Sequence, residues 1–486
     1  MSGFIEDHEL WDSQQREVAQ GIRAAIESGR YRKIRVSVAD PRGLLRSKTA
    51  LPGHFLELLR DGMEMTSALF SFDSGEQIVG DPFGPPADDI STQLSGMRDV
   101  VLVPDPNTFI ELPWSPGTAW VLGDMYSLDG TPVVLDARHL LKAVLSNLPS
   151  GLHYQVGLEI EFYLTGVREI VGAPAWPDGA ERVQPLTPGK FYQSEDHQDR
   201  LDEWIDEVID HAGRLGMPLR TLESELGPGQ LEATFSPQSA LAAADTAVLF
   251  RSMIKQVSTR RGLHATFMAV PLVSGFSPSG WHLHQSLTDD AGRNLFMPEG
   301  RSSHVLAPFG QHFLGGLLRH AGAASVFTTP TVNGYRRRGA SSLAPTRSSW
   351  GDDDRSVMCR VRARRGYRRS RIENRIGEPA ANPYLYMASQ LVSGLDGVRN
   401  AIDPGPPAGA VDRLATPALP HSLAESLEAL SGSTFFRQQF GTEFVEWTLR
   451  VKRSEVARFE QATAAAAEQS RAAAAAWEHA EYFMRC

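Results

Sequence analysis

Two glutamates interrupt an otherwise apolar run, and this pair constrains the fold of the chain most strongly. In the segment GLEIEFYL, Glu159 and Glu161 are separated by one residue within the apolar stretch 154–164. The stretch predicts a buried strand, and the alternation of side chains along a strand then places both carboxylates on one face. Buried carboxylates need cations or hydrogen-bond donors. The pair therefore indicates a site for a hard divalent metal, unless this face of the strand is simply solvated.

Further acids and histidines follow at regular spacing. The segment ELGPGQLE places Glu225 and Glu232 around a Pro-Gly turn, and SGWHLHQS places His282 and His284 on one face of a short strand. Glycine lets the backbone approach closely at such a turn, and imidazole is the commonest metal ligand. Each motif alone is more often an exposed turn or a structural pair than a metal site.

Positive charge is concentrated in one segment of an acidic protein. The chain has 486 residues and a formal net charge of −10, yet 336–375 holds thirteen arginines, no lysine and four acids. The acidic whole argues against general binding to nucleic acid or anionic membranes, which requires a broad positive field. An arginine-only segment favours a pocket for phosphates or carboxylates. Within it, Arg371, Glu373 and Arg375 share one strand face, either as an ion-pair ladder or as a metal ligand between two anion-binding arginines.

The remaining pattern predicts a mixed α and β protein. Before residue 130 we expect mainly strands, at 33–40, 44–49, 67–72, 100–104 and 120–134. After it we expect helices at 137–148 and 199–215, a loop at 172–189 and a strongly helical chain beyond residue 405. The amino terminus lacks a signal-peptide pattern, no apolar run approaches bilayer length, and the two cysteines lack metal-site spacing. We therefore expect a cytoplasmic protein with reduced thiols.

Six phrases, in this order, resemble the glutamine synthetase family over nearly the whole chain. They are GLEIEFYL, GPGQLEATF, SGWHLH, NGYRRR, WGDDDRSVMCR and RIENRIGEPAANPYL. The resemblance implies an α+β fold, with an N-terminal β-grasp domain and leading helix over 1–130. The larger glutamine synthetase-type catalytic α+β domain, with a C-terminal helical region, would occupy 131–486. It also implies a homo-oligomer, a dodecamer of two stacked hexameric rings with active sites between subunits.

The resemblance also assigns roles to individual residues. Two divalent ions, Mg²⁺ or Mn²⁺, would be bound, one by Glu161, Glu225 and Glu232 and the other by Glu159, His282 and Glu373. ATP would be the co-substrate, and its binding residues would be His284, Ser286, Arg360 and Arg371. The acid substrate would contact Gly280, Arg337 and Arg375. Arg355 and Asp73 would be catalytic, Asp73 as the ammonium-binding acid that a neighbouring subunit contributes.

Two positions depart from the family pattern. Family members that use ammonia carry a glutamate before Ala-Pro in the loop after the N-x-Y motif, where this chain has Leu343. The carboxylate that helps to bind and deprotonate ammonium is therefore missing, and Leu343 leaves an apolar wall in the substrate site for an alkyl or aryl group. Ser277-Pro278 replaces an Asn-Gly that contacts glutamate, and proline removes a backbone donor. The second change leaves open whether the acid is glutamate.

We therefore expect an ATP-dependent ligase that joins the γ-carboxyl of L-glutamate to an organic amine through an acyl phosphate. A true glutamine synthetase using ammonia, or a catalytically silent homologue with a binding role, are the alternatives. The presence of all six implied metal ligands argues against the silent homologue. We expect no nucleic-acid or membrane partner. Because 434–451 contains no tyrosine, we expect no control by adenylylation.

Overall fold

The computed structural model describes residues 2–81, 83, 95–167, 183–298, 305–340, 343–409, 415–464 and 470–486. Within these residues the strands are β1 Lys33–Ala39, β2 Leu45–Ala50, β3 Met63–Thr66, β4 Asp99–Pro104, β5 Ile110–Glu111, β6 Thr118–Tyr126, β7 Leu152–Val167, β8 Val183–Pro185, β9 Leu219–Ser224, β10 Gln230–Phe235, β11 Gln238–Ser239, β12 Leu263–Thr266, β13 Trp281–Asp289, β14 Trp350–Asp352, β15 Cys359–Arg362 and β16 Arg371–Gly377.

The helices alternate with these strands and dominate the carboxyl-terminal third. They are α1 Phe4–Asp7, α2 Ser13–Glu27, α3 Pro52–Asp61, α4 Ala137–Ser146, α5 Glu195–Asp199, α6 Asp202–Arg214, α7 Ala240–Arg260, α8 Pro308–Thr328, α9 Arg337–Ala340, α10 Pro383–Arg399, α11 Leu423–Ser431, α12 Thr434–Phe440, α13 Thr442–Ala464 and α14 Ser470–Tyr482. Short 3-10 helices lie at Ser67–Ser71, Ser95–Met97, Pro106–Thr108 and Asn333–Arg336. No helix in the described part of the chain combines the length and the apolar character that a membrane crossing requires.

The amino-terminal part folds around a mixed sheet in the order β2-β1-β6-β4-β3, with β5 paired to β6. β1 and β2, at the strands predicted over 33–40 and 44–49, pair as an antiparallel hairpin, whereas β1 and β6 are parallel. The strand predicted over 67–72 is wrong, because Ser67–Ser71 is a 3-10 helix. The Ala68 N–H donates to the Thr66 hydroxyl at 3.2 Å, and this local bond begins the helix. The strand predicted over 120–134 starts at Thr118 and ends at Tyr126.

The predicted elements after residue 130 are confirmed where the structure describes them. The helices predicted at 137–148 and 199–215 are α4 and α6, and the buried strand predicted at 154–164 is the core of β7. Most of the loop predicted at 172–189 lies outside the described residues, and β8 forms within the remainder. The expected helical character beyond residue 405 is provided by α11 to α14.

The second sheet carries the candidate site, and its order is β14-β15-β16-β13-β7-β10-β9, with β8, β11 and β12 also paired to β7. One face of β7 packs on helix α7, where the Phe162 ring lies 6.0 Å from that of Phe250, and on Phe267 just after β12, whose ring lies 5.2 Å away. Side chains alternate along the strand. Glu159 and Glu161, which have the opposite parity to Phe162, therefore project from the other face of the sheet.

A buried ion-pair cluster joins the two sheets. The guanidinium of Arg138, at the start of α4, hydrogen-bonds Asp105, Asp124 and Asp245 at 2.8–2.9 Å. Asp105 and Asp124 belong to the amino-terminal sheet region, and Asp245 lies on α7. Removing one partner of such a buried pair leaves an uncompensated charge. The cluster therefore stabilises the contact between the amino-terminal sheet and the second sheet.

Candidate active site

Antiparallel pairing aligns acids from three neighbouring strands of the second sheet. Glu232 on β10 lies opposite Glu161 on β7 and, on its other side, opposite Glu223 on β9. The Glu225 carboxylate, just after β9, reaches the same place, because ligand atoms of Glu223, Glu225 and Glu232 lie within 4.8 Å of one another. The register of the strands therefore builds a cluster of four carboxylates on one face of the sheet.

The same register brings histidines and a further acid beside this cluster. His282 on β13 lies opposite Glu159, and His284 lies opposite Glu373 on β16. Ligand atoms of Glu159, His282 and Glu373 lie within 4.8 Å of one another, and so do those of Glu161, Glu232 and His282. His282 belongs to both groups, so the two groups of candidate ligands are adjacent.

Burial and mutual repulsion of the acids in the carboxylate cluster favour the binding of a cation. Burial, followed by repulsion from Glu161, Glu159 and Glu225, raises the pKa of Glu232 to about 10. Burial and the charge of Glu225 raise the pKa of Glu161 to about 7. A set of carboxylate oxygens with one imidazole suits a divalent cation such as Mg²⁺ or Mn²⁺. The residues present therefore fit the metals that the sequence resemblance implies.

Glu159 differs from the other acids because histidines surround it. Burial alone would raise its pKa, but His284 and His282 outweigh burial and hold the pKa of Glu159 well below its ordinary value. His282 Nδ1 lies 3.1 Å from Glu159 Oε2, and His284 Nε2 lies 2.7 Å from Glu159 Oε1. Glu159 therefore stays ionised, as a metal ligand must.

Two arginines hold Glu373 at the end of this row. Arg360 Nη1 donates to one oxygen of Glu373 at 3.0 Å, and Arg375 Nη1 donates to the other at 2.5 Å. Among the described residues, the buried Nε of Arg375 has no hydrogen-bond acceptor. A buried guanidinium donor without a partner is costly. It is therefore a candidate binding point for a carboxylate or phosphate oxygen of a substrate.

Arg337 and Gly280 approach each other next to His282. Arg337 is buried, and its Nη1 donates to the carbonyl oxygens of Ile376 and Gly377 at the end of β16. A Cβ atom at Gly280 would lie 2.5 Å from Arg337 Nη2 and 3.2 Å from His282 Nε2. A side chain at this position would displace the guanidinium, so Gly280 allows Arg337 to lie beside the candidate ligands.

The Ser277-Pro278 segment is held by two side chains of the site-bearing sheet. The Ser277 N–H donates to the Tyr163 hydroxyl at 2.6 Å, and this hydroxyl donates to the Ser277 carbonyl at 3.0 Å. Gln230 Nε2 donates to the Pro278 carbonyl and to Glu161 Oε2, each at 3.1 Å. The contacts fix this departure from the family pattern beside the carboxylate cluster.

The other predicted site residues lie around the candidate metal ligands or further from them. Arg371 Nε donates to His284 Nδ1 at 2.9 Å, and Ser286 lies two residues further along β13, half-buried. Arg355 is exposed and lies close enough to Tyr192 to influence its titration. Leu343 is 60% exposed. Its side chain therefore has contact area available for a ligand or another chain.

Asp73 is placed by contacts within its own chain. Its Oδ2 accepts hydrogen bonds from Arg458 Nε at 2.8 Å and from Ser454 Oγ at 3.1 Å. Its Oδ1 accepts from the N–H groups of Gly75 and Gln77 at 2.9 and 3.0 Å. Both oxygens of this buried carboxylate are thus hydrogen-bonded, and their partners among the described residues are not candidate metal ligands.

Sequence reasoning missed two residues of the centre. Glu223 was not predicted, although its spacing of two residues from Glu225 on a strand edge was a readable signal. Gln230 was not predicted either, because only the fold shows that its amide connects Glu161 with the Ser279 hydroxyl, at 3.1 and 3.0 Å. Both side chains extend the predicted set without displacing any of its members.

Comparison with known proteins identifies the family of this centre. The model of the glutamine synthetase catalytic domain matches residues 134–470. A gamma-glutamylanilide synthase from Acinetobacter sp is 44% identical over 99% of this chain and 98% of its own length. A glutamate–isopropylamine ligase from Pseudomonas sp is 33% identical over 89% of this chain and 93% of its own length. A solved structure of GmaS in complex with ADP has a TM-score of 0.74, with 27% identity over 90% of this chain and 96% of that one. The chain belongs to the glutamine synthetase family.

Proposed function

We propose that the protein is an ATP-dependent ligase that forms an amide between the γ-carboxyl of L-glutamate and an organic amine. The sequence-based prediction of such a ligase is confirmed by relatives named as a gamma-glutamylanilide synthase and a glutamate–isopropylamine ligase. The observation that carries the proposal is the shared His282, which joins two groups of candidate metal ligands on one sheet face beside buried arginines.

The reaction has two steps. An oxygen of the γ-carboxylate attacks the γ-phosphorus of ATP, the bond to the bridging oxygen breaks, and ADP leaves with that electron pair. The nitrogen lone pair of the amine then attacks the acyl carbon, phosphate leaves with the C–O electrons, and the nitrogen loses one proton. A carboxylate is a poor electrophile, and its conversion to an acyl phosphate makes the second step possible.

The carboxylate cluster supports a site for two divalent ions, Mg²⁺ or Mn²⁺. We assign Glu161, Glu225 and Glu232 to one ion, and Glu159, His282 and Glu373 to the other. When bound, such ions supply positive charge that stabilises the transferring phosphoryl oxygens. The chain holds these ligands on paired strands of one sheet, which fixes their spacing before any substrate arrives.

The arginines and small residues around the metal ligands provide the proposed substrate contacts. For the nucleotide these are His284, Ser286, Arg360 and Arg371. For glutamate they are Gly280, Arg337 and Arg375, of which Arg375 offers a buried Nε donor that has no acceptor in the described part of the chain. Arg355 is proposed as the catalytic arginine that neutralises charge during transfer. A catalytic role for Asp73 stays a prediction, since its contacts with Arg458 and Ser454 favour a structural role.

The amine is proposed to be organic because the chain has Leu343 where ammonia-using relatives carry a glutamate. An uncharged side chain cannot attract ammonium or accept its proton. The exposed Leu343 side chain offers apolar contact area instead. The second candidate function is a glutamine synthetase that uses ammonia. It makes the opposite prediction for amine preference.

The domain organisation and assembly follow the family. We propose an N-terminal β-grasp domain over 1–130 and a catalytic domain over 131–486. The mixed sheet with its β1–β2 hairpin supports the first, and the ten-stranded sheet with its helices supports the second. We further propose a dodecamer of two stacked hexameric rings with active sites between subunits, which sedimentation or mass photometry would test.

A panel of amines tests the proposed function. Phosphate release is measured with ATP, Mg²⁺ and L-glutamate, in the presence of ammonia, methylamine, isopropylamine or aniline, and the amide is identified by mass spectrometry. We expect at least one organic amine to give a higher kcat/KM than ammonia. A higher kcat/KM for ammonia than for every organic amine would support the ammonia-using alternative. Absence of metal-dependent ATP binding in calorimetry would support the silent homologue.

A further inference from the structure

A short segment of the chain is fastened along the turn that carries Glu225. The Phe191 N–H donates to the Leu226 carbonyl at 3.2 Å, and the Gln193 N–H donates to the Ser224 carbonyl at 3.1 Å. These backbone hydrogen bonds resemble those between paired strands. They hold the segment beside the end of β9 and the turn that follows it. The side chains of the segment are therefore positioned relative to the carboxylate cluster by backbone contacts.

A third attachment lies at the start of the segment. The Gly229 N–H donates to the buried Thr187 hydroxyl at 2.9 Å. Gly229 has φ +83° and a Cβ there would lie 2.5 Å from the Leu164 carbonyl oxygen. Glycine is required at this position of the turn, so the turn and the segment from Thr187 pack as one unit against β7.

The backbone is strained at the end of the segment. Gln193 has φ +50°, a left-handed conformation that is uncommon for residues with a side chain. The next residue, Ser194, accepts a hydrogen bond from the His197 N–H at 3.3 Å and begins helix α5. Such strain persists only where the surroundings determine the conformation, and it often accompanies binding sites.

The anchored segment presents apolar side chains to the outside. Phe191 is 64% exposed, Tyr192 58% and Leu226 40%. We call these three residues the aromatic patch. Exposed large apolar side chains that lie together mark interaction sites more often than singly scattered ones do. The patch lies on well-anchored backbone, so its exposure is not a result of a loose chain end.

The aromatic patch adjoins the carboxylate cluster. The Leu226 N–H donates to Glu225 Oε2 at 3.1 Å. Partial burial and the charges of Glu225, Glu223 and Glu232 raise the pKa of Tyr192, while Arg355 lowers it. The Tyr192 hydroxyl therefore lies within electrostatic reach of three candidate-site acids and of the proposed catalytic arginine.

We propose that the aromatic patch of Phe191, Tyr192 and Leu226 binds the ring of an aromatic amine and sets the amine specificity of the enzyme. The proposal rests on the proposed ligase function and adds the class of amine and the residues that select it. An aryl ring is held by edge or face contacts with aromatic side chains, and the adjoining cluster is where the amino group must react.

The chemistry of an aromatic amine fits this surface better than that of an alkylammonium ion. The lone pair of an arylamine is delocalised into the ring, so the amine is weakly basic and is neutral near neutral pH. It then needs no carboxylate to accept a proton from it before attack. An alkylammonium ion would arrive charged, and Leu343 offers it no carboxylate.

Phe191→Ala tests the proposal, with Phe191→Leu as a conservative variant. We expect KM for aniline to rise about tenfold in Phe191→Ala and to be largely restored in Phe191→Leu, because a well-packed aromatic contact contributes roughly this factor. KM for ATP and for glutamate, and kcat/KM for methylamine, are expected to change less than about twofold, since these substrates do not use the patch. Leu128→Ala, at an exposed leucine in the turn after β6, is the matched control.

A binding measurement complements the kinetics. Saturation-transfer NMR with aniline and wild-type protein is expected to show contact to the ring protons, and the signal is expected to fall in Phe191→Ala and in Leu226→Ala but not in Leu128→Ala. An equal loss for aniline and methylamine, a rise in KM for ATP, or an unchanged aniline signal would each overturn the proposal.

Failure of the proposed ligase function and failure of the proposed aromatic-amine site give different experimental results. If wild-type protein makes no amide from any organic amine, the proposed function fails and the aromatic-amine site fails with it. If wild-type protein makes amides but Phe191→Ala leaves the aniline-to-methylamine ratio unchanged, the ligase stands and the patch has no role in selecting the amine. A changed elution volume of Phe191→Ala with an unchanged ratio would assign the patch to a subunit contact and overturn the proposal.

Discussion

Arg371 Nε donates a hydrogen bond to His284 Nδ1 at 2.9 Å, while His284 Nε2 lies 2.7 Å from Glu159 Oε1. Nδ1 accepts this bond, so the other ring nitrogen, Nε2, faces the Glu159 carboxylate. Arg371 thereby fixes the ring orientation of the residue that we assign to the nucleotide. The contact connects the arginine-rich segment directly to the candidate metal ligands.

Arg371→Lys tests this arrangement. Lysine keeps the charge but loses the planar guanidinium and its Nε donor, so His284 loses the contact that orients it. We expect KM for ATP to rise about tenfold, while the free energy of unfolding changes by less than about 0.5 kcal/mol. Arg369→Lys, two residues earlier and exposed, is the control. Equal KM values for ATP in both variants would contradict the assignment.

The ion pair between Asp73 and Arg458 makes a second prediction. Asp73 is fully buried and Arg458 is a quarter exposed, so Asp73→Asn removes one of the two carboxylates that pair with this guanidinium, the other being Glu481. We expect the free energy of unfolding, measured in urea, to fall by about 2 kcal/mol. Asp210→Asn, which breaks an exposed pair with Arg214, is expected to cost less than about 0.5 kcal/mol.

The same variant separates a structural from a catalytic role of Asp73. A structural role predicts that kcat/KM falls in the same proportion for ammonia and for aniline. A stable Asp73→Asn protein that loses turnover of one amine selectively would instead support the role implied by the family resemblance, in which this acid serves a neighbouring active site.

Leu343→Glu restores the carboxylate that ammonia-using relatives carry. Because Leu343 is exposed, the substitution is expected to cost less than about 0.5 kcal/mol of stability. We expect the ratio of kcat/KM for ammonia to that for aniline to rise at least about tenfold, since the new acid attracts ammonium and repels the apolar ring. Leu128→Glu is the control. An unchanged amine profile would count against the placement of Leu343 in the amine site.

His264 predicts how stability depends on pH. Its ring lies 5.0 Å from that of Phe483 and its Nε2 lies 3.0 Å from the Phe483 carbonyl. Burial, together with Lys255 and His479, lowers its pKa from 6.5 to about 4. Between these values the unfolded chain binds a proton that the folded protein does not, so acidification favours unfolding.

Stability should therefore be unaffected by His264 above about pH 6.5 and should fall by about 3 kcal/mol as the pH approaches about 4. His264→Gln is expected to reduce the slope of the free energy of unfolding against pH in this window, whereas His8→Gln at an exposed histidine is not. Parallel slopes for the wild type and His264→Gln would refute the assignment.

Local sequence patterns predicted the individual motifs but not their geometric relationships. The alternation of Glu159 and Glu161 within β7 could be predicted, because a period of two within an apolar run specifies a strand face. That Glu232 lies opposite both Glu161 and Glu223 depends on the register of three strands. Register is set by turns and packing across the sheet, and no single segment of the sequence encodes it.

The failures of prediction have local causes. The 3-10 helix at Ser67–Ser71 replaced a predicted strand because the Thr66 hydroxyl caps the turn. Within the arginine-rich segment, Arg338 is buried, and its guanidinium lies 4.8 Å from the centre of the Tyr335 ring. The composition of the segment gives no signal that this arginine is buried.

Transfer of oxygen from glutamate to phosphate tests the central claim most directly. L-Glutamate labelled with oxygen-18 in its γ-carboxyl group is incubated with ATP, Mg²⁺, aniline and the protein, and both products are analysed by mass spectrometry. The account predicts one labelled oxygen in the inorganic phosphate for every γ-glutamyl amide formed, because the acyl phosphate breaks at its C–O bond. Unlabelled phosphate, or phosphate released without an amide, would contradict it.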